Sequence, residues 1–141
     1  MLQLSQTSEY ALRALAQLAI VADGKPVRAS DLAAATHVPP AYVSKVMRKL
    51  VVAGLVSGAK GHHGGFRLAR PADQIRFIDV IQAVDPLPTT EPCAFGWGAC
   101  NSKSPCLLHP AFTRLNARVR QWAEQTTLDV VVHGSLGAER T

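Results

Sequence analysis

Apolar residues recur at helical spacing through most of the first half of the chain. Over 5–22, Tyr10, Leu12, Leu15, Leu18 and Ala19 repeat in three- and four-residue steps, which predicts a helix ended by Gly24 and Pro26. Ser30 stands as the cap of a short helix through Asp31, Leu32, Ala33, Ala34 and Ala35, and Thr36-His37-Val38-Pro39 breaks it. Pro40 suits the first position of a second helix, whose apolar positions Val43, Val46, Met47, Leu50 and Val51 keep helical spacing as far as Gly54. The pattern is helix, tight turn, helix. Leu55-Val56-Ser57 and Phe66-Arg67-Leu68 then flank the glycine-rich Lys60-Gly61-His62-His63-Gly64-Gly65, which predicts two short strands around a turn, a wing. Asp73 is placed to cap a further helix with Ile75, Ile78, Val80, Ile81 and Val84 on its apolar side, and Asp85-Pro86-Leu87-Pro88 ends it. Much later, Phe112, Leu115, Val119 and Trp122 define an amphipathic helix with Arg114, Arg118 and Arg120 on its other faces. A helix of that kind needs an apolar partner, and a second copy of the chain is the simplest one.

The elements predict a mainly α fold with a small β wing. A winged helix-turn-helix domain occupies 1–85, a cysteine-containing loop 86–109, a dimerisation helix and its C-terminal end 110–132, and a tail 133–141. With 141 residues, 48% of them hydrophobic and 18% charged, the chain can bury one ordinary core. Its first residues lack a basic segment followed by an apolar one, and no run approaches the roughly 18 uninterrupted apolar residues of a membrane span. A cytoplasmic protein with reduced thiols and no membrane association is the expectation.

Charge sharpens this reading more through its placement than through the net value of +5. No acidic residue lies between Asp31 and Asp73, while Lys45, Arg48, Lys49, Lys60, Arg67 and Arg70 fall in that interval with His37, His62 and His63. A one-signed stretch of this length is either a solvated basic face or the footprint of a polyanion, and its coincidence with a helix-turn-helix pattern favours DNA. The outer face of the second helix shows Tyr42, Ser44, Lys45, Arg48 and Lys49, hydrogen-bonders and cations suited to base edges and phosphates. With Ser30, and with Lys60, His62, His63 and Arg67 of the wing, they form the candidate DNA-binding set. His37, in the turn, is expected to face solvent or phosphate.

The cysteines add candidate chemistry. Cys93, Cys100 and Cys106 are the only three, spaced C-x6-C-x5-C with His109 following at C-x2-H. An odd number cannot pair off as disulfides, and Gly96, Gly98, Asn101, Ser102, Ser104 and Pro105 between and beside them form no apolar period. Such a segment can fold around an ion or cluster; the alternative is that some of the thiols are small buried hydrophobes. Phe95 and Trp97 either shield a bound group or anchor the loop to a partner chain. A structural zinc site of Cys3His type, or a metal-free thiol switch, would use the same residues. Enzymatic chemistry has little support. The chain has no phosphate loop, no His-x-Glu with Pro-Cys-x-x-Cys, and no Ser/His/Asp arrangement in a nucleophile's context. A ferredoxin-like electron carrier would leave the acid-free wing without a purpose.

Ser8-Glu9-Tyr10-Ala11-Leu12 in the first helix, the helix-turn-helix from Ser30 to Leu55, the wing from Gly61 to Leu68, Ile78-Asp79-Val80-Ile81 and the three-cysteine segment occur in that order. Together they resemble the Rrf2 family of winged-helix transcription regulators over roughly residues 1–132. The resemblance implies a homodimer on a double-stranded DNA operator. In it an iron-sulfur cluster, held by the three cysteines of the 86–109 loop and one further ligand, sets the position of the DNA-binding domains. It further implies sensing of redox state, nitric oxide or iron-sulfur status. Thiolates are the usual ligands of cluster iron, so three cysteines leave one place for a different donor. His109 matches the Cys-x-x-His of the IscR-like branch, which carries a 2Fe-2S cluster. Glu9 matches the carboxylate that nitric-oxide-sensing and redox-sensing members donate across the dimer, and a 4Fe-4S cluster stays open beside the favoured 2Fe-2S. Against the family pattern, the first cysteine gap is one residue longer, and Pro110 directly after His109 argues for a helix beginning there rather than at Cys106.

Overall fold

Ser5, itself extended, caps the first helix: its hydroxyl accepts the Ser8 N–H at 3.1 Å, satisfying one orphan donor of the first helical turn. From that cap the computed structural model builds α1 (Gln6–Ile20), then α2 (Ala29–Thr36), α3 (Pro40–Val52), β1 (Val56–Ala59), β2 (Gly65–Leu68), a 3-10 turn at Ala72–Gln74, α4 (Phe77–Val84), α5 (His109–Gln125) and the single turn α6 (Val130–His133). Residues 4–21, 24–62, 64–85, 103 and 105–133 are described. The mainly helical expectation with a two-stranded wing holds. The strands pair antiparallel in the register Val56↔Leu68, Ser57↔Arg67, Gly58↔Phe66 and Ala59↔Gly65.

One apolar core joins the first four helices and the wing. Ala11, Ala14, Leu15 and Leu18 from α1 meet Leu32 of α2, Val43, Val46, Met47 and Leu50 of α3, Leu55 and Val56 entering the wing, and Val80 and Val84 of α4. Leu15, Leu32, Met47 and Leu50 are fully buried, each removing on the order of 2 kcal/mol of apolar surface from water. The helix-turn-helix corner is sharp because His37 takes the left-handed conformation (φ 56°, ψ 36°) and the following Val38 N–H donates to the Ala33 carbonyl, closing the end of α2. Pro39 and Pro40 then restart the chain, Pro40 at a position where a missing N–H costs nothing.

Several local expectations are corrected. Ser30 does not cap α2: the helix starts at Ala29 behind an extended Arg28, and Ser30 sits exposed in its first turn. The strap before α2 bonds to the wing, with Val27 and Phe66 exchanging N–H···O bonds at 2.8 Å each, so the helix entry is set by this pairing and not by a hydroxyl. Asp73 lies within the 3-10 turn, and Asp79 does the capping of α4, its carboxylate accepting the Arg76 backbone N–H at 3.0 Å. Val51 is 39% exposed on the flank of α3 rather than in its buried stripe.

The C-terminal helix contains the whole period from Phe112 to Trp122. α5 stops at Gln125 because the next residues return to the domain: the Phe77 N–H donates to the Thr126 carbonyl at 2.9 Å, Arg76 bridges Thr127, and the Leu128 N–H donates to the Ile75 carbonyl at 2.8 Å. Leu128 and Val131 join the main core. Ala123 packs with Ile78 and Ile81 in a small second cluster, and Trp122 meets Phe77 edge-on at 5.4 Å. No helix among the described residues is long and apolar enough to cross a membrane.

Candidate DNA interface and metal-ligand segment

Burying Val43, Val46, Met47 and Leu50 fixes the rotation of α3 and thereby aims its other face. Ser44, Lys45 and Arg48 point outward and are exposed. Tyr42 lies on the flank, 41% exposed, its ring edge-on to Tyr10 at 5.4 Å, and Arg13 covers the Tyr10 ring at 5.5 Å. Lys49 is on the same flank and is half-buried, its ammonium donating to the Val84 carbonyl at 3.1 Å in the last turn of α4. That bond ties α3 to the end of α4 and uses one of the three ammonium donors.

The wing carries the rest of the set. Lys60 and His62 are exposed at the tip and Arg67 on β2, whereas His63 lies outside the described residues. The turn is tight. Gly65 has φ +143°, and a Cβ there would stand 2.7 Å from the Val27 carbonyl oxygen, so only glycine lets the strap and β2 approach. Arg28, which the sequence reading passed over, reaches from the start of α2 to donate from Nη2 to the His62 carbonyl at 2.8 Å. Its signal was a second cation, after Lys25, in the short strap just before the acid-free interval. None of Arg28, Lys45, Arg48, Lys60 and Arg67 pairs with a carboxylate among the described residues. The exposed positive face therefore stays unneutralised.

Of the candidate metal ligands, Cys93 and Cys100 lie outside the described residues. Cys106 and His109 are half-buried at the threshold of α5, in a turn closed by the His109 N–H donating to the Cys106 carbonyl at 3.1 Å. His109 is the first helical residue and Pro110 the second, where the ring displaces no helical bond. A thiol and an imidazole three residues apart on one turn can address the same metal, so this pair fits a Cys-x-x-His donor set. Glu9 is half-buried in the first turn of α1. Among the described residues no three His, Cys, Asp or Glu side chains gather into a metal-holding group, so Glu9 does not join Cys106 and His109 within one chain.

Residues 4–134 match the Rrf2 family, described as an iron-dependent transcriptional regulator. The chain belongs to this family. It is 35% identical over 96% of its length to a Mycobacterium tuberculosis protein provisionally named an HTH-type transcriptional regulator, covering 84% of that protein. It is also 30% identical over 90% of its length to the HTH-type transcriptional regulator IscR of Vibrio campbellii, covering 75% of it. Among solved structures it resembles CymR, the global cysteine regulator of B. subtilis (TM-score 0.77, 22% identity, 92% of this chain and 95% of that one), which shows the shared fold. T. potens IscR is similar at TM-score 0.76 and 20% identity over 99% of this chain and 93% of the other. As an Rrf2 member the chain is a DNA-binding transcription regulator and not an enzyme.

Proposed function

We propose that this Rrf2 regulator binds a roughly two-fold symmetric operator as a homodimer in the cytoplasm, with an affinity controlled by an iron-sulfur cluster. Ser44, Lys45, Arg48 and Lys49 of α3 face the duplex, Tyr42 and Ser30 flank them, and Lys60, His62, His63 and Arg67 of the wing hold the backbone. Cys93, Cys100, Cys106 and His109 hold the cluster, with Glu9 of the partner subunit as the alternative fourth ligand. The observation that carries the reading is the Cys106–His109 turn, which leads without a break into α5, the helix whose Leu115 and Trp122 are left 45% and 46% exposed for a second copy. A ligand-bearing turn built onto the helix that joins two chains is well placed to change how their DNA-binding halves are spaced. When bound, the cluster supplies a site whose charge and ligation change with redox state, nitric oxide or iron-sulfur supply. The likeness of Cys106-x-x-His109 to the IscR-like pattern favours a 2Fe-2S form, with 4Fe-4S as the alternative.

Anaerobic purification followed by an absorption spectrum with iron and sulfide analysis tests this directly. Visible absorbance with matching iron and sulfide is expected, and operator affinity should change when the cluster is removed. Cys106→Ala should abolish the colour yet leave a folded dimer. Colourless protein with stoichiometric zinc would point to a structural site, and colourless metal-free protein to a thiol switch. For the fourth ligand, His109→Ala should shift the spectrum or make the cluster labile while Glu9→Ala leaves both unchanged; the reverse result would give the place to Glu9.

A further inference from the structure

We infer that Arg28 is a DNA-backbone ligand, a guanidinium held by the wing in position to bind a phosphate between the helix-turn-helix and the wing tip. The inference rests on the reading of α3 and the wing as the DNA face, and adds a residue outside the acid-free interval.

Arg28 ends the strap that precedes α2, and its backbone is fixed by the neighbouring Val27–Phe66 exchange, two bonds of 2.8 Å each. Its side chain crosses to the wing, where Nη2 donates to the His62 carbonyl at 2.8 Å. The side chain is exposed nonetheless. A carbonyl is a neutral acceptor, so the positive charge is oriented without being cancelled. A guanidinium has five N–H donors in a rigid fork, and this bond uses one; the others suit a phosphate, which the fork can take bidentately. Asp31, three residues on and exposed, makes no ion pair with Arg28.

The surroundings match. Lys60 and His62 are exposed at the wing tip on one side, and Ser30 in the first turn of α2 on the other. A duplex that meets both α3 and the wing passes its backbone over the strip between them. An arginine already fixed there loses less conformational freedom on binding than a free surface lysine.

Arg28→Gln and Arg28→Lys together separate charge from bracing: the amide, two bonds shorter than Nη2, loses both the charge and the reach to the His62 carbonyl, whereas the lysine gives up the fork and keeps the charge. The purified full chain would be titrated onto a duplex of arbitrary sequence about three helical turns long, a probe bound through phosphates, at several salt concentrations. Arg28→Gln should weaken binding several-fold and reduce the magnitude of the log-log salt slope by about 1.8 per dimer, 0.9 for each phosphate released. Arg28→Lys should keep the slope. An unchanged slope in Arg28→Gln, or an equal fall in Arg28→Lys, would overturn the inference. Arg48→Gln and Lys60→Gln run beside them keep the two readings apart: a slope reduced in these but not in Arg28→Gln removes Arg28 alone, while no change in any of the three removes the DNA face itself.

Discussion

The DNA-binding half and α5 are built on opposite terms. In the first, α1, α2, α3 and α4 bury Leu15, Leu32, Met47, Leu50 and Val80 against one another, and Lys45, Arg48, Lys60 and Arg67 are left outside with no carboxylate partner among the described residues. In α5, seventeen residues bury only Asn116 and Ala123, while Leu115 and Trp122 stay half exposed and Arg120 pairs with Glu124 at 2.9 Å. One region has finished its core and offers charge; the other has satisfied some of its charge and offers apolar surface. The lesson is that stability and partner choice are separated along the chain, so each can be perturbed without the other.

The sharpest way to break that separation is in the core. Leu50→Ala should cost about 2–5 kcal/mol of stability, read by denaturant unfolding, at every protein concentration. Leu115→Asp should leave the unfolding of dilute monomer within about 0.5 kcal/mol but weaken dimerisation by about 2–3 kcal/mol, roughly 30- to 150-fold by analytical ultracentrifugation. Equal losses of monomer stability at both sites would erase the contrast.

On the polar side, Arg48→Gln should reduce operator affinity by about tenfold, within the range for a base or phosphate contact, whereas Arg118→Gln on α5 should leave it nearly unchanged. The unmodified protein should show a log-log salt slope of roughly −4 to −8 per dimer. Comparable losses at Arg48 and Arg118 would mean that α3 is not the recognition helix.

The smallest expected effect is at Asp79, where the two regions adjoin. Burial pushes its carboxyl up, but the Arg76 side-chain and backbone hydrogen bonds, with the Arg76 and Arg70 charges, outweigh that and hold it below the ordinary carboxylate value. The stabilisation is therefore present above about pH 4, the unfolded carboxylate's range, and is lost as pH falls through the lower folded value. Because Arg76 is half exposed, salt should screen it. Asp79→Asn should flatten the acid limb of a stability-versus-pH curve measured by thermal unfolding, and an unaltered limb would assign it to other groups.

What was legible in the sequence follows from how local each signal is. α1, α3 and the wing could be read because their periods and breakers are set by neighbours: Val43, Val46, Met47 and Leu50 for the helix, Gly61 to Gly65 for the turn. The errors came where a distant backbone took over a local task. Ser30 lost the cap because Val27 pairs with Phe66, almost forty residues away, and the end of α5, which the period to Trp122 left open, is set by Thr126 to Leu128 bonding to Ile75, Arg76 and Phe77. The candidate site was legible in part for the same reason. Ser44, Lys45 and Arg48 are aimed by their own helix, but the bond of Lys49 to Val84 and the reach of Arg28 to His62 depend on contacts 35 and 34 residues apart.

Trp122 gives the molecule an optical handle. Its indole stands edge-on to Phe77 on one side and 46% open to solvent on the other, so its emission should report whatever covers α5. The chain's other tryptophan is Trp97, in the cysteine segment. With Trp97→Phe as background, the remaining signal belongs to a single ring: red-shifted and easily quenched by iodide when the helix face is wet, blue-shifted and protected when a second chain lies on it. Assembly could then be followed by fluorescence at concentrations too low for sedimentation, without attaching a dye.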